Sequence, residues 1–215
     1  MDERMTVINN AAEYVSGRLE GRKPEVAVVL GSGLGKLADM IEDPVVIPYS
    51  EIPGFPVSTV IGHKGNFVCG QLGGKTVLAM QGRFHYYEGY TMQKLTIPVR
   101  VMAKLGIGYI FVSNAAGGLN PDFEIGDMMI IKDHVCLFPN PLIGPNFDDF
   151  GPRFPDMTTP YDLGLIAKAD KLLAVDETTT PIEANVAFYR RRLATMIAAY
   201  HGLENVYQAL KGEQK

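Results

Sequence analysis

The densest group of chemically useful side chains in this sequence lies between residues 82 and 90 (GRFHYYEGY). The stretch follows a buried strand pattern, and packing alone does not explain its arginine, histidine, glutamate and three tyrosines. Arg83 can bind a phosphate with its planar guanidinium, and His85 can donate to a phosphate or ribose oxygen. Tyr87 can bond a sugar hydroxyl while its ring covers the apolar sugar face. A surface salt-bridge cluster is the alternative, but strand ends of open α/β sheets usually form the ligand crevice.

A second candidate for anion binding is the glycine-rich loop at residues 31–35 (GSGLG), which follows a short β-branched run. Its glycines expose backbone N–H groups, Ser32 adds a hydroxyl donor, and a helix start after the loop favours negative charge. The spacing matches neither the dinucleotide-binding fingerprint nor the P-loop. Taken alone, the loop is therefore equally compatible with a tight structural turn.

Two further segments complete the set of candidates. Residues 114–118 (NAAGG) follow a strand pattern, and their small side chains let the backbone approach a ligand. His63 lies in a glycine turn from which its imidazole could close over an anion, although a lone histidine in a turn is usually only solvated. His134 and His201 are expected to be hydrogen-bonded or surface side chains. The sequence contains no metal-ligand spacing and no GxSxG nucleophile elbow, so a metal site and a serine hydrolase are unsupported.

Length, composition and charge indicate what kind of protein carries these segments. A chain of 215 residues with 47% hydrophobic and 20% charged residues predicts one compact domain spanning 1–215. A net charge of -4 argues against nonspecific binding to nucleic acid or to anionic membranes. The N-terminus lacks an apolar signal region and no apolar run is long enough to span a bilayer, so a cytoplasmic location is expected. Cys69 and Cys136 lie in strand-like surroundings and are expected to be buried thiols without a disulfide.

The hydrophobic periodicity predicts the elements that position the candidate residues. Two features are specific: Gly73-Gly74 between two apolar runs predicts a hairpin with a primed turn, and Pro98 should begin or kink a helix. Strands and helices alternate, which predicts an α/β sandwich with a mixed sheet. The predicted elements are a helix at 5–19, strands at 25–30, 67–72, 75–80, 109–113 and 127–135, helical segments at 36–41 and 91–105, and a long surface loop at 139–160.

Several motifs together resemble the successive signatures of the trimeric purine nucleoside phosphorylases, in the order and spacing of that family. The resemblance covers about residues 1–173 and rests on the segments 31–35, 62–63, 82–90, 114–119 and 150–157. It implies a three-layer α/β sandwich around a central mixed sheet and a homotrimer. It also implies a pentosyltransferase of purine salvage that reversibly converts purine (deoxy)ribonucleosides and phosphate to free base and (deoxy)ribose 1-phosphate. No cofactor is implied, since inorganic phosphate is a co-substrate.

The resemblance also assigns roles to individual residues of this sequence. Ribose contacts are implied for Tyr87 and for Phe154, which resembles an aromatic side chain lent across the subunit interface. Asn114 opens the loop beneath sugar and base and, with His85, is a candidate catalytic residue. In the related methylthioadenosine phosphorylases, the segment that corresponds to residues 114–119 resembles TACGSL, whereas this chain has NAAGGL, the form of the purine nucleoside phosphorylases. The implied phosphate ligands are Ser32, His63 as a gate, Arg83, His85 and the backbone N–H of Ala115.

The tail from residue 174 to residue 215 departs from the family pattern. The GPxFETPAE and GMST segments, which serve the base, ribose and phosphate in the family, are not recognisable here. The tail instead shows helical periodicity at 182–199 and 203–210, with three consecutive arginines at 190–192 that are typical of a solvated helix face. Three interpretations stay open: a truncated or rearranged enzyme, a related protein whose tail builds another binding site, and a phosphate- or nucleoside-binding remnant without catalysis.

Overall fold

The structure of the chain is a computed structural model, and it describes residues 3–31, 33–57, 64–137 and 139–173. The chain divides into two compact units. The first comprises Met1–Ala115 and Cys136–Pro155, and the second comprises Ala116–Val135 and Asp156–Lys215. The helices predicted at 182–199 and 203–210, the arginines at 190–192 and His201 all lie outside the described residues. The single-domain interpretation stays a prediction.

The first unit is built on a five-stranded mixed sheet with the order β2-β3-β4-β1-β5. Strands β4, β1 and β5 are mutually parallel, whereas β3 runs antiparallel to both β2 and β4. The strands are β1 (Val26–Leu30), β2 (Glu42–Pro48), β3 (Asn66–Leu72), β4 (Lys75–Gln81) and β5 (Tyr109–Val112). The mixed sheet that the sequence predicted is confirmed.

Alternation along the strands divides the buried residues between two faces of the sheet. On β1, Ala27 and Val29 belong to one apolar cluster, whereas Leu30 belongs to another. Helix α1 (Glu3–Arg18) and helix α3 (Ile97–Lys104) pack in the first cluster. The second cluster includes Ala38 from a 3₁₀ helix at Gly35–Met40. The order of layers is therefore helices, sheet and 3₁₀ helix, as expected for a three-layer α/β sandwich.

The predicted helices and hairpin form for the expected physical reasons. Helix α1 buries Ile8, Ala11 and Val15, whose spacing places them on one face. Gly73 and Gly74 adopt φ values of 58° and 74° between β3 and β4, which the primed turn requires. The predicted helix at 91–105 forms as two segments, α2 (Met92–Leu95) and α3, and the proline lies in the first turn of α3, where its missing N–H costs no hydrogen bond.

Three predictions about local structure need correction. Residues 127–135 form no strand, and Met128 and Val135 are exposed, because an apolar run becomes a strand only where a neighbouring strand accepts its hydrogen bonds. The helical segment predicted at 36–41 is a 3₁₀ helix. Cys136 is exposed rather than buried, since the strand expected just before it does not form, whereas Cys69 on β3 is buried as predicted.

Strand β2 was not predicted from the sequence. It contains two prolines, and its pairing with β3 shifts register between Glu42 and Val45, where Asp43 has a φ of 50°. Prolines and a bulge fit an edge strand, because one side of such a strand needs no ladder of hydrogen bonds. The second unit contains the equally unpredicted helix α4 (Leu163–Leu173). In that unit, His134 Nδ1 lies 3.1 Å from the hydroxyl of Tyr161, which supports a structural role for this histidine.

Candidate functional site

Three candidate segments leave the sheet at the same edge. The glycine loop follows β1, the segment 82–90 follows β4, and the segment from Ser113 to Ala115 follows β5. Because β4, β1 and β5 are parallel neighbours, their carboxyl ends lie side by side. A crevice at the carboxyl ends of parallel strands is the usual ligand site of open α/β sheets. The topology thus brings together segments that lie far apart in the sequence.

The side chains of Arg83 and His85, which follow β4, lie on the same side of the backbone. Phe84 is buried, with its ring centroid 5.1 Å from that of Tyr49. Arg83 and His85 therefore point away from the core together, since alternate residues of an extended chain share a side. Arg83 Nε donates to His85 Nε2 at 3.3 Å. The buried Tyr49 hydroxyl anchors the start of the segment by donating to the carbonyl of Gly82 at 2.9 Å, and burial raises the pKa of this phenol well above its ordinary value.

A buried carboxylate orients the histidine. Glu88 closes a short 3₁₀ helix at Tyr86–Glu88, and its side chain is only 2% exposed. Its Oε1 accepts the backbone N–H of His85 at 2.7 Å and lies 3.1 Å from His85 Nδ1. Because this oxygen acts as an acceptor, the network places the imidazole proton on Nδ1 and leaves Nε2 to accept from Arg83. The ring of His85 is thus held at both nitrogens.

The loops after β1 and β5 are in direct contact. The backbone N–H of the buried Gly31 donates to Ser113 Oγ at 3.0 Å. A Cβ atom on Gly31 would lie 2.5 Å from the carbonyl oxygen of Ser113 and 2.9 Å from the Cα of Asn114. Only glycine fits this approach, because neither of those backbone atoms can move aside. Arg83 Nη1 donates to the same Ser113 carbonyl at 3.3 Å.

The remaining predicted residues are distributed around this junction. Tyr87 is 74% exposed, and its ring stacks on that of His85 with centroids 4.8 Å apart. Asn114 and Ala115 are exposed, and Asn114 Nδ2 donates to the Ala115 carbonyl at 3.4 Å. Phe154 is 86% exposed, and the guanidinium of Arg153 lies over its ring. The structure therefore brings together Arg83, His85, Tyr87 and Asn114 but shows no described contact between Phe154 and these residues.

Two predicted phosphate ligands, Ser32 and His63, lie outside the described residues. Conversely, two residues near the site received no role from the sequence: Glu88, which was only counted within the segment 82–90, and Ser113. The spacing of Glu88 three residues after His85 is the signal that could have revealed it, since a glutamate at this spacing commonly bonds back to the residue before a helical turn. Nothing in the sequence around Ser113 marks its role, because its partners are distant along the chain.

Metal-binding groups and membrane-spanning helices are both absent from the part of the chain that the structure describes. Its His, Cys, Asp and Glu side chains form no group of three or more that could hold a metal ion. None of its helices has the length and apolar character needed to cross a membrane. Burial raises the pKa of the Cys69 thiol to about 11, which makes this cysteine a poor nucleophile.

The five-stranded mixed sheet has the nucleoside phosphorylase fold, as its match to solved structures shows. The family model described as "Phosphorylase superfamily" matches residues 25–213, and the chain belongs to that family.

Its relatives narrow the likeness to one group within the family. The chain is 52% identical over 180 residues to purine nucleoside phosphorylase 1 of Bacillus subtilis. This alignment covers 83% of this chain and 65% of the Bacillus protein. It is 51% identical over 162 residues to the purine nucleoside phosphorylase of Rattus norvegicus, covering 74% of this chain and 56% of the rat protein. The chain thus spans less than two thirds of the length of these relatives.

The solved structures to which this chain is similar are also purine nucleoside phosphorylases. Isoform 2 of the Schistosoma mansoni purine nucleoside phosphorylase, in complex with cytosine and ribose-1-phosphate, superimposes with a TM-score of 0.72 at 46% sequence identity. The match covers 78% of this chain and 60% of that protein. A schistosome purine nucleoside phosphorylase in complex with hypoxanthine matches with a TM-score of 0.73. The nucleoside phosphorylase fold is therefore confirmed.

Proposed function

We propose that this chain is a purine nucleoside phosphorylase, a pentosyltransferase that splits purine (deoxy)ribonucleosides with inorganic phosphate. The observation that carries the proposal is the junction of three adjacent parallel strand ends: Arg83 and His85 after β4, the Gly31 loop after β1 and Ser113 after β5. A fixed guanidinium beside a glycine loop suits a phosphate anion. His85 would donate to the phosphate from Nε2 when the ring carries a proton on both nitrogens, in place of accepting from Arg83. Similarity to purine nucleoside phosphorylases at about half identical residues supports the choice of substrate class.

The proposed chemistry needs position and charge rather than an enzyme nucleophile. Bound phosphate attacks C1′ of the nucleoside while the glycosidic bond breaks through an oxocarbenium-like state. Placing the anion in line with the sugar can remove roughly 7 to 11 kcal/mol of the barrier. Arg83, His85, Ser32 and the Ala115 N–H are the proposed phosphate ligands, and His63 is the proposed gate.

The sugar is assigned to side chains beside this anion site. Tyr87 would bond a ribose hydroxyl and is supported by its stacking on the proposed phosphate ligand His85. Asn114 would lie beneath sugar and base and act with His85 in catalysis. Phosphate would be a co-substrate, and no cofactor is proposed.

Assembly and location are further parts of the proposal. Phe154 is proposed to reach the ribose of a neighbouring subunit in a homotrimer, and its 86% exposure supports a role outside its own subunit. A cytoplasmic enzyme without nucleic acid or membrane partners fits the net charge of -4. Light scattering that gives the mass of one chain would contradict the shared ribose site.

The decisive experiment follows purine release from inosine or guanosine with and without inorganic phosphate. We expect hypoxanthine or guanine to appear only when phosphate is present, because the phosphate oxygen is the attacking atom. Equal release without phosphate would indicate hydrolysis instead. No release at high enzyme concentration would contradict phosphorolysis.

A binding protein without turnover is the second candidate, and one observation favours it. After residue 173, where the family continues with the base-binding segment GPxFETPAE, no such segment is recognisable in this chain. Calorimetry separates the two candidates, since binding of phosphate or ribose 1-phosphate without any purine release would select the binding protein.

The Glu88→Gln variant tests the orientation of His85. We expect it to lower kcat/KM for phosphate by about tenfold, because an amide no longer provides the charged acceptor that holds Nδ1. Steady-state kinetics at saturating nucleoside measure this effect.

Glu51→Gln is the matched control for this substitution. Glu51 is a half-exposed carboxylate paired with Arg18 on the surface, and its loss should leave phosphate kinetics unchanged. A Glu88→Gln variant with wild-type kcat/KM for phosphate would show that His85 needs no carboxylate partner.

A further inference from the structure

Ser113 belongs to one of the three segments that form the candidate site, and it contacts the other two. Its backbone N–H and its hydroxyl both donate to the carbonyl of Val29 at the end of β1, at 3.1 Å and 2.9 Å. The same hydroxyl oxygen accepts the N–H of Gly31 at 3.0 Å. Its carbonyl accepts Arg83 Nη1 at 3.3 Å. One residue after β5 therefore fixes the loop after β1 and the arginine after β4.

The hydroxyl is the replaceable part of this junction. Its single proton is directed to Val29, so its oxygen presents a lone pair to Gly31. Gly31 is buried, and its close approach to the Ser113 peptide restricts the room for a water molecule. Without the hydroxyl, the Gly31 N–H loses this acceptor, and an unsatisfied buried donor is costly enough to displace the loop.

The carbonyl fixes the arginine in a complementary way. Arg83 is held at Nε by His85 and at Nη1 by Ser113, and two anchored nitrogens define the plane of a rigid guanidinium. Bidentate recognition of a phosphate depends on that plane. Ser113 therefore holds both halves of the proposed anion site in place, the glycine loop through its hydroxyl and the guanidinium through its carbonyl.

We propose that Ser113 is a positioning residue that sets the Gly31 loop relative to Arg83, an inference that rests on the proposed phosphate site. It does not touch the substrate itself. Its hydroxyl acts on phosphate through the glycine loop, whereas nucleoside binding depends on other residues.

The test compares phosphate and inosine saturation in Ser113→Ala, Ser113→Thr and wild type. We expect Ser113→Ala to raise the KM for phosphate about tenfold and to leave the KM for inosine unchanged. Ser113→Thr keeps the hydroxyl and should restore the KM for phosphate. Ser16→Ala, the same change at an exposed position of α1, is the matched control and should alter neither constant.

Particular outcomes would overturn the proposal. A fall in kcat with both KM values unchanged would indicate a purely structural serine, and a wild-type KM for phosphate in Ser113→Ala would remove the role altogether. If Ser113→Ala does not fold, Ser113→Cys substitutes, because its sulfur is a weak acceptor of similar shape. The proposal then requires a raised KM for phosphate, and a wild-type value overturns it.

Calorimetry with inorganic phosphate separates this inference from the function on which it rests. Tight binding to wild type with about tenfold weaker binding to Ser113→Ala supports the inference even without turnover. Equal binding to both overturns the inference alone. If wild type binds no phosphate, the proposed function is wrong and the positioning role is overturned with it.

Discussion

Replacing Arg83 with alanine should lower kcat/KM for phosphate by about 100-fold, because it removes the fixed cation of the proposed anion site. The guanidinium is anchored to His85 Nε2 and to the Ser113 carbonyl, so it is already oriented when an anion arrives. A donor held in place before binding stabilises the developing charge without further reorganisation. Phosphate saturation curves measured at fixed inosine check this expectation.

Two control variants show which property of the arginine matters. Arg83→Lys keeps the charge but loses the planar fork, so its kcat/KM should fall between those of wild type and Arg83→Ala. Arg18→Ala removes an arginine whose salt bridge with Glu51 lies on the surface, and it should leave the kinetics unchanged. An Arg83→Ala variant that folds and retains wild-type phosphate kinetics would refute the anion site.

The largest expected loss of stability comes from Phe67→Ala. Phe67 on β3 is fully buried, and its ring centroid lies 5.3 Å from that of Tyr49 and 5.4 Å from that of Phe55. Deleting a buried aromatic side chain leaves a cavity, and the free energy of unfolding should fall by about 3 to 5 kcal/mol. Urea unfolding of the full chain, followed by circular dichroism, measures the change.

Phe154→Ala is the matched control for stability. Its ring is 86% exposed in its own chain, so the same chemical change should alter the free energy of unfolding of the monomeric chain, measured at low protein concentration, by less than about 0.5 kcal/mol. Equal destabilisation by both substitutions would contradict the assignment of the core. We expect Phe67→Ala also to disturb the candidate site, because Phe67 packs against Tyr49 and Tyr49 donates to the carbonyl of Gly82 just before Arg83.

Local patterns predicted most of the elements around the site. The β-branched run ending at Leu30, the Gly73-Gly74 turn and the proline of α3 each have a physical preference that their immediate neighbours determine. Those elements form where expected. Strand β2 was missed because its prolines suit only an edge strand, and edge position is a property of the sheet rather than of the segment.

The segment at 127–135 fails for the converse reason. Its apolar run has the local character of a strand, but no hydrogen-bonded partner is described for it, and Met128 is 73% exposed. The strand preference of a sequence is weak until a neighbouring strand provides the ladder. The prediction of a buried Cys136 was wrong because it depended on that strand.

The sequence by itself determined the chemical groups of the site: an arginine and a histidine after one strand, a glycine loop after another, and small residues after a third. Only the tertiary structure decided that these segments meet, because strand order and direction place the ends of β4, β1 and β5 side by side. The roles of Glu88 and Ser113 were decided there too. A hydrogen bond such as that from Gly31 to Ser113 joins residues 82 positions apart, and no local pattern specifies such a distant partner.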